Sequence, residues 1–199
     1  MRKLAFALFL CSSLLAFAEG NPLAGKEKSS VCAACHGPTG VSNNPEWPNL
    51  AGQHADYLVR QMKYFKEGKK RSSPLMTPVM ANLTPQDMSD LAAFYANQPL
   101  PRLTTPKQYV KPGERLYRGG NFEKHITACI ACHGPQGFGN AQAGFPVLSG
   151  QHAVYSIQQL EAFKNRTRTG DINDMMHDIA SRMGKEEMEA VSYYLSGLH

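Results

Sequence analysis

Four of the five cysteines in this 199-residue chain fall into two pairs, Cys32-Ala33-Ala34-Cys35 and Cys129-Ile130-Ala131-Cys132. Each pair is followed at once by a histidine, His36 and His133, and then by Gly-Pro (Gly37-Pro38 and Gly134-Pro135). Four thiols in an exported chain could close two disulfides, a single C-x-x-C could be a redox dithiol, and two pairs together could hold zinc. Each of these readings leaves the repeated histidine unused, and the gap between the pairs is very long for a zinc ribbon. C-x-x-C-H is instead the attachment signal of a c-type haem. On a helical turn, residues i, i+3 and i+4 share one face. Two thiols placed there reach the two vinyl groups of one porphyrin, and the histidine beneath them offers a ring nitrogen to the iron. The pattern implies two covalently bound haem c groups, held through Cys32, Cys35, Cys129 and Cys132, with His36 and His133 on the irons.

The elements that carry these motifs occur twice. Trp47-Pro48-Asn49-Leu50-Ala51-Gly52-Gln53-His54 matches Phe145-Pro146-Val147-Leu148-Ser149-Gly150-Gln151-His152, and Tyr57 to Lys66 matches Tyr155 to Lys164. The offset is 97 at the haem motifs, 98 at Gly-Gln-His and 100 at the C-terminal helices, which marks a duplication with small insertions. Residues 99–112 contain four prolines and lack helical periodicity, so they read as a linker. The division is then 1–18 leader, 19–98 first domain, 99–112 linker and 113–199 second domain. Both domains read as all-α. Asn21-Pro22 predicts a capped helix start, Tyr57, Leu58, Gln61, Met62 and Phe65 form an apolar face stopped by Gly68, and Thr84-Pro85-Gln86-Asp87 opens another helix. The second copy runs Tyr155 to Phe163 and Lys185 to Leu198, and no strand or hairpin signal occurs. Domains this small have marginal cores, so each is expected to depend on its haem for folding.

The residue on the far side of each iron decides between a carrier and an enzyme, because an open iron binds small molecules and a closed one only exchanges electrons. Met76 stands seven residues before Leu83, and Met176 seven before Met183, at equivalent entries to the last helix of each copy. Both fall in segments read as irregular, where a thioether can turn inward. Met80, Met175 and His177 remain rivals; none has a partner of its own kind in the other copy. His54 and His152 read as helix-entry residues with a ligand role still open, and His125 and His199 as surface residues. The imidazoles need acceptors for their second nitrogen, and the carbonyls of Pro48 and Pro146 stand in matching loops. Trp47, Tyr57, Phe65, Phe145, Tyr155 and Phe163 would line the porphyrins.

Composition bounds the rest. With 42% apolar and 19% charged residues the chain is neither disordered nor a multi-span membrane protein. Arg2 and Lys3, the apolar run Leu4 to Ala18 and Ala16-Phe17-Ala18 read as a secretory signal cut after Ala18, against an uncleaved anchor or a lipoprotein site at Cys11. Its loss would lower the formal charge from +5 to +3, too small a balance to argue for nucleic acid. Lys63, Lys66, Lys69, Lys70 and Arg71 form a basic cluster, read either as a solvated face or as a dock for an acidic partner.

The two C-x-x-C-H-G motifs, the paired Leu-x-Gly-Gln segments, the late methionines and the Tyr194-Leu195-Ser196-Gly197-Leu198-His199 ending resemble the cytochrome c4 family of dihaem cytochromes c. The resemblance implies two tandem class-I cytochrome c domains related by a pseudo-twofold axis, with the haems facing each other. It implies His36/Met76 and His133/Met176 as the iron ligands. It also implies a periplasmic electron carrier, often loosely membrane-associated, that takes electrons from a quinol-oxidising complex or other donor and feeds a terminal oxidase. No substrate bond is made or broken in that role, so no enzyme activity is expected. A dihaem peroxidase, a sulfur-compound dehydrogenase and a cytochrome subunit of a larger dehydrogenase complex are the alternatives.

Overall fold

The computed structural model describes residues 20–199, and the leader read at residues 1–18, with Cys11, lies outside them. The described chain is helical, without a sheet; isolated bridges such as Asn121 with Ile126 are its only strand-like pairing. In the first half α1 (Pro22–Lys28) starts where the Asn21 side chain accepts from the Leu23 and Ala24 amides at 2.9 and 3.3 Å. That side chain satisfies two of the helix's orphan donors, and Pro22 at the first position needs none. The first haem motif lies on α2 (Ser30–His36). The apolar face read around Tyr57 becomes α3 (Ala55–Glu67), stopped by Gly68 at φ 67°. After the single turn of α4 (Met76–Met80), α5 (Pro85–Ala96) opens on the reciprocal Thr84–Asp87 capping box.

The second half repeats this order. It contains α6 (Lys107–Gly119), α7 (Ile130–His133), α8 (Ala153–Lys164), a 3-10 turn (Ile172–Asp174), α9 (Met175–Ser181) and α10 (Lys185–Ser196). In each half the first helix crosses the last, α1 on α5 and α6 on α10. The crossing is too close for a side chain. A β-carbon on Gly25 would stand 2.0 Å from the Asp90 carbonyl oxygen, and one on Gly113 would stand 2.4 Å from that of Ala190. Two separate clusters result, Leu58, Leu91, Phe94 and Tyr95 in the first half and Leu116, Tyr117, Met188, Val191 and Leu195 in the second. Neither is large, and both abut the cavity described below.

Two expectations are corrected. The stretch 99–112 is extended only to Pro106, and α6 already begins at Lys107, with Pro112 inside it. Pro112 gives up one early backbone bond near the exposed N-terminal end, while the face bearing Gly113, Leu116 and Tyr117 is buried against α10 and holds the helix together. The segments around Met76 and Met176 are not irregular either; Met76 opens α4 and Met176 is the second residue of α9.

Candidate haem site

A cavity of about 820 Å³ runs across both halves, a size typical of small-molecule sites, which span about 300–1,000 Å³. Cys32, Cys35 and His36 line it from α2, and Cys129, Cys132 and His133 from the turn of α7. All six aromatic residues expected at the porphyrins, Trp47, Tyr57, Phe65, Phe145, Tyr155 and Phe163, line it too. The four thiols are unpaired, and among the described residues no three His, Cys, Asp or Glu converge to hold a bare metal ion. Burial pushes the Cys32 thiol up, and that of Cys129 up to about 11.

On the proximal side the halves agree closely. His36 Nδ1 lies 2.9 Å from the Pro48 carbonyl oxygen, and His133 Nδ1 lies 3.0 Å from that of Pro146. A carbonyl only accepts, so Nδ1 carries the proton and Nε2 keeps its lone pair for a metal. Burial lowers the pKa of both imidazoles, against a smaller upward pull from the proline carbonyls, so the neutral ligating form is favoured. Both acceptors are those expected from the sequence.

On the distal side Met76, Met80, Met175 and Met176 all line the cavity, whereas His177 does not. The His177 ring donates from Nδ1 to the Phe163 carbonyl at 2.8 Å. Ser73 Oγ accepts from the Leu75 and Met76 amides, each at 3.3 Å. In the second half Asp171 Oδ2 does the equivalent work, accepting from the Met176 and His177 amides at 2.7 and 3.1 Å. His54 and His152 are indeed helix-entry residues, as the N-caps of α3 and α8, and His125 and His199 are exposed.

The family model for Cytochrome c matches this chain twice, over residues 18–98 and 110–199. The chain is 48% identical to cytochrome c4 of Thiocapsa roseopersicina over 90% of its own length and 93% of that protein. It superimposes on the crystal structure of reduced recombinant cytochrome c4 from Pseudomonas stutzeri with a TM-score of 0.88, at 39% identity, covering 90% of this chain and 100% of that one. The chain belongs to the cytochrome c4 family. It is also 37% identical to a protein named thiosulfate dehydrogenase electron acceptor from Stutzerimonas stutzeri strain A1501, over 84% of this chain and 79% of that protein.

A cytochrome c4 carries two covalently bound haem c groups, and the charges lining this cavity fit them. Arg71 and Arg168 are buried, 8% and 7% exposed, and meet across the two halves. Arg71 donates to Gln61 Oε1, Tyr155 Oη and Gln159 Oε1 at 2.9, 2.5 and 2.8 Å. Arg168 donates to Gln159 Oε1, Tyr57 Oη and Gln61 Oε1 at 2.8, 2.6 and 3.2 Å. Each guanidinium also lies 4.5 Å from a ring, Phe65 or Phe163. Neither makes an ion pair with a carboxylate among the described residues. Two buried cations without an anion are costly, and the propionates that every haem bears would supply that missing charge. Burial pushes the Tyr57 phenol up, but the Arg168 and Arg71 charges outweigh it and hold its pKa below the ordinary 10.

This finding corrects one member of the basic cluster, Arg71, while Lys63, Lys66, Lys69 and Lys70 are exposed as a solvated face requires. Arg71 is part of the domain interface, Lys66 is spent on the Leu83 carbonyl at 2.6 Å, and Lys70 lies over the Tyr64 ring. Lys63 and Lys69 alone remain without such a role among the described residues. The interface pair was missed although Arg71 and Arg168 stand 97 residues apart, the same offset as the haem motifs.

Proposed function

We infer that this cytochrome c4 is a periplasmic carrier that accepts and delivers electrons one at a time without acting as an enzyme. In this reading residues 19–98 and 107–199 each hold one haem. Cys32 and Cys35 anchor the first and Cys129 and Cys132 the second. His36 and Met76 would bind one iron, and His133 and Met176 the other. The observation that carries it is the twofold recurrence of a fixed proximal imidazole with methionines in the same cavity. Each haem, when bound, supplies a one-electron iron couple.

The protein's own groups do the rest. The Pro48 and Pro146 carbonyls hold the imidazole rings in one orientation, so the ligand geometry changes little between oxidation states. The aromatic lining excludes water, and thioethers bound on the far side would favour the reduced form and would leave no position for a substrate. Arg71, Arg168, Tyr57 and Tyr155 would hold the propionates. Met76 and Met176 are preferred to Met80 and Met175 because they alone share a register, each held by a side-chain acceptor, Ser73 or Asp171. No described helix is long and apolar enough to cross a membrane, which suits a periplasmic protein that associates with a membrane only loosely. A quinol-oxidising complex or other donor would load it, and a terminal oxidase would unload it. The relative named thiosulfate dehydrogenase electron acceptor favours a second reading of the donor, a periplasmic dehydrogenase.

Carbon monoxide tests the closed-iron reading. The reduced protein should bind none at either haem, and Met76→Ala or Met176→Ala should open one haem each while erasing only that haem's Met–Fe(III) charge-transfer band. Fast binding to the unmodified protein would move the assignment to a peroxidase-like enzyme.

A further inference from the structure

The Gly52-Gln53-His54 and Gly150-Gln151-His152 repeats do more than start helices. Gln53, 7% exposed, reaches out of the first half and pairs with both polar groups of Val147 in the second. Its Oε1 accepts from the Val147 amide at 3.0 Å and its Nε2 donates to the Val147 carbonyl at 2.9 Å. Gln151 returns the contact. Its Oε1 accepts from the Asn49 amide at 2.8 Å, and its Nε2 donates to the Asn49 carbonyl at 2.9 Å.

The bonded amides are special by position. The Val147 N–H and the Pro146 C=O belong to one peptide group, and the Pro146 C=O is the acceptor for His133 Nδ1. Likewise the Asn49 N–H shares its peptide with the Pro48 C=O that accepts from His36 Nδ1. Each domain's histidine therefore donates into a peptide whose far end donates to a glutamine of the other domain. A peptide that donates through its N–H becomes a better acceptor at its C=O, because hydrogen bonds in a chain polarise one another. A stronger acceptor at Nδ1 makes the imidazole a more basic ligand.

We propose that Gln53 and Gln151 are crossed positioning residues, each setting the donor strength of the axial histidine, and so the reduction potential, of the haem in the opposite domain. The inference rests on His36 and His133 being the axial ligands. Loss of the polarising bond weakens the imidazole, favours the reduced iron and raises the potential. The effect appears across the interface and spares the haem of the domain that carries the mutation.

The test uses dihaem protein with Gln53→Met or Gln151→Met, two midpoint potentials resolved by spectroelectrochemistry, and the histidine Nδ1–H resonances of the reduced protein by NMR. Gln53→Met should raise the potential of the second haem and move the His133 Nδ1–H resonance, leaving the first haem and His36 in place. Gln151→Met should do the reverse. Equal movement of both haems, movement only within the mutated domain, or no movement would overturn the proposal. Should Gln53→Met not accumulate with both haems, Gln53→Glu, which keeps an acceptor for the Val147 N–H, decides in its place. A potential lowered at the second haem alone supports the crossing, because a carboxylate accepts more strongly, and any other pattern overturns it. Absence of the two Nδ1–H signals from the unmodified protein would instead sink the ligand assignment, and the crossed tuning with it.

Discussion

Around His36 and His133 the halves of the molecule share most of their bonds, although His152 Nε2 reaches the Ser42 carbonyl and the matching His54 Nε2 has no partner among the described residues. The imidazole-to-proline bonds, the glutamine pairs, the two buried arginines and the lysine bonds from Lys66 to Leu83 and from Lys164 to Met183 all have counterparts. The methionine segments do not match in this way. The first uses a neutral Ser73 hydroxyl and one short turn, and the second uses the Asp171 carboxylate. The second segment also has consecutive left-handed residues, Asn173 and Asp174 at φ 52° and 56°. The difference follows from what each region touches. The peptides that accept from the histidines, the two glutamines and the two arginines are bonded to the other half, so a change on one side must suit a partner on the other. The methionine segments reach solvent, with Leu75 at 66% and Ile172 at 40% exposure, and can drift in length and capping while keeping a thioether in place.

The arginine pair offers the largest break in that symmetry. Removing either guanidinium leaves buried acceptors on both halves and one haem carboxylate less compensated. Arg71→Leu and Arg168→Leu should each cost about 3–5 kcal/mol of stability, the range for breaking a buried charged network. The two costs should agree within about 1 kcal/mol, because the same two glutamine oxygens serve both sides. Denaturant unfolding of the dihaem protein measures this, and strongly unequal losses would show that the interface is not shared as described.

What the sequence disclosed and what it hid follow the same division. The haem motifs, the Asn21 cap, the Thr84–Asp87 box and the two proline carbonyls were legible because each rests on local spacing or local capping. Arg71 was not, because three of its neighbours in the chain are exposed lysines and only packing against the other half buries it. Gln53 and Gln151 were legible as a repeat but not as a clasp, since their partners lie about 100 residues away in the chain. The start of α6 was hidden by Pro106 and Pro112, which continue the proline punctuation of the extended stretch at Pro99 and Pro101. Gly25 and Gly113 carried a weak signal, a glycine in each copy at unequal distance from its haem motif.

The distal caps allow a smaller, sharper comparison. Asp171 holds two amides at 2.7 and 3.1 Å through a charge-assisted bond, while Ser73 holds its two at 3.3 Å. Loss of a cap costs about 0.5–2 kcal/mol, and a charged acceptor falls toward the upper end. Asp171→Ala should therefore release the Met176–iron band at a lower temperature than Ser73→Ala releases that of Met76. Thermal bleaching of the charge-transfer absorption, followed haem by haem, reads both, and the opposite order would mean that the left-handed turn, rather than the carboxylate, holds Met176.

The smallest effect concerns the helix crossings. Lys28 binds Asp87 and Asp90 at 2.7 Å each, tying α1 to α5, whereas at the α6–α10 end of the second half Lys124 binds only Glu187, at 2.9 Å. The Lys28 ammonium holds both aspartates below the usual carboxylate range, and bonds from Thr84 and Asn21 add to this. A carboxyl with a depressed pKa stabilises the fold above its unfolded value, about 3.9 for Asp, and that contribution fades as pH falls further. Glu187 behaves likewise, its burial outweighed by the Gly184 amide and Lys124. The first domain thus has two such groups against one in the second. Its stability should fall more steeply below about pH 4. Trp47, the single tryptophan of the chain, belongs to that domain. Its fluorescence should rise at a higher pH than the acid change of the second haem's Soret band, and Lys28→Met should bring the steepness of the two transitions together. The margin is modest because these ion pairs lie near solvent, so a first domain that outlasted the second in acid would place the difference in the cores rather than in the clasp.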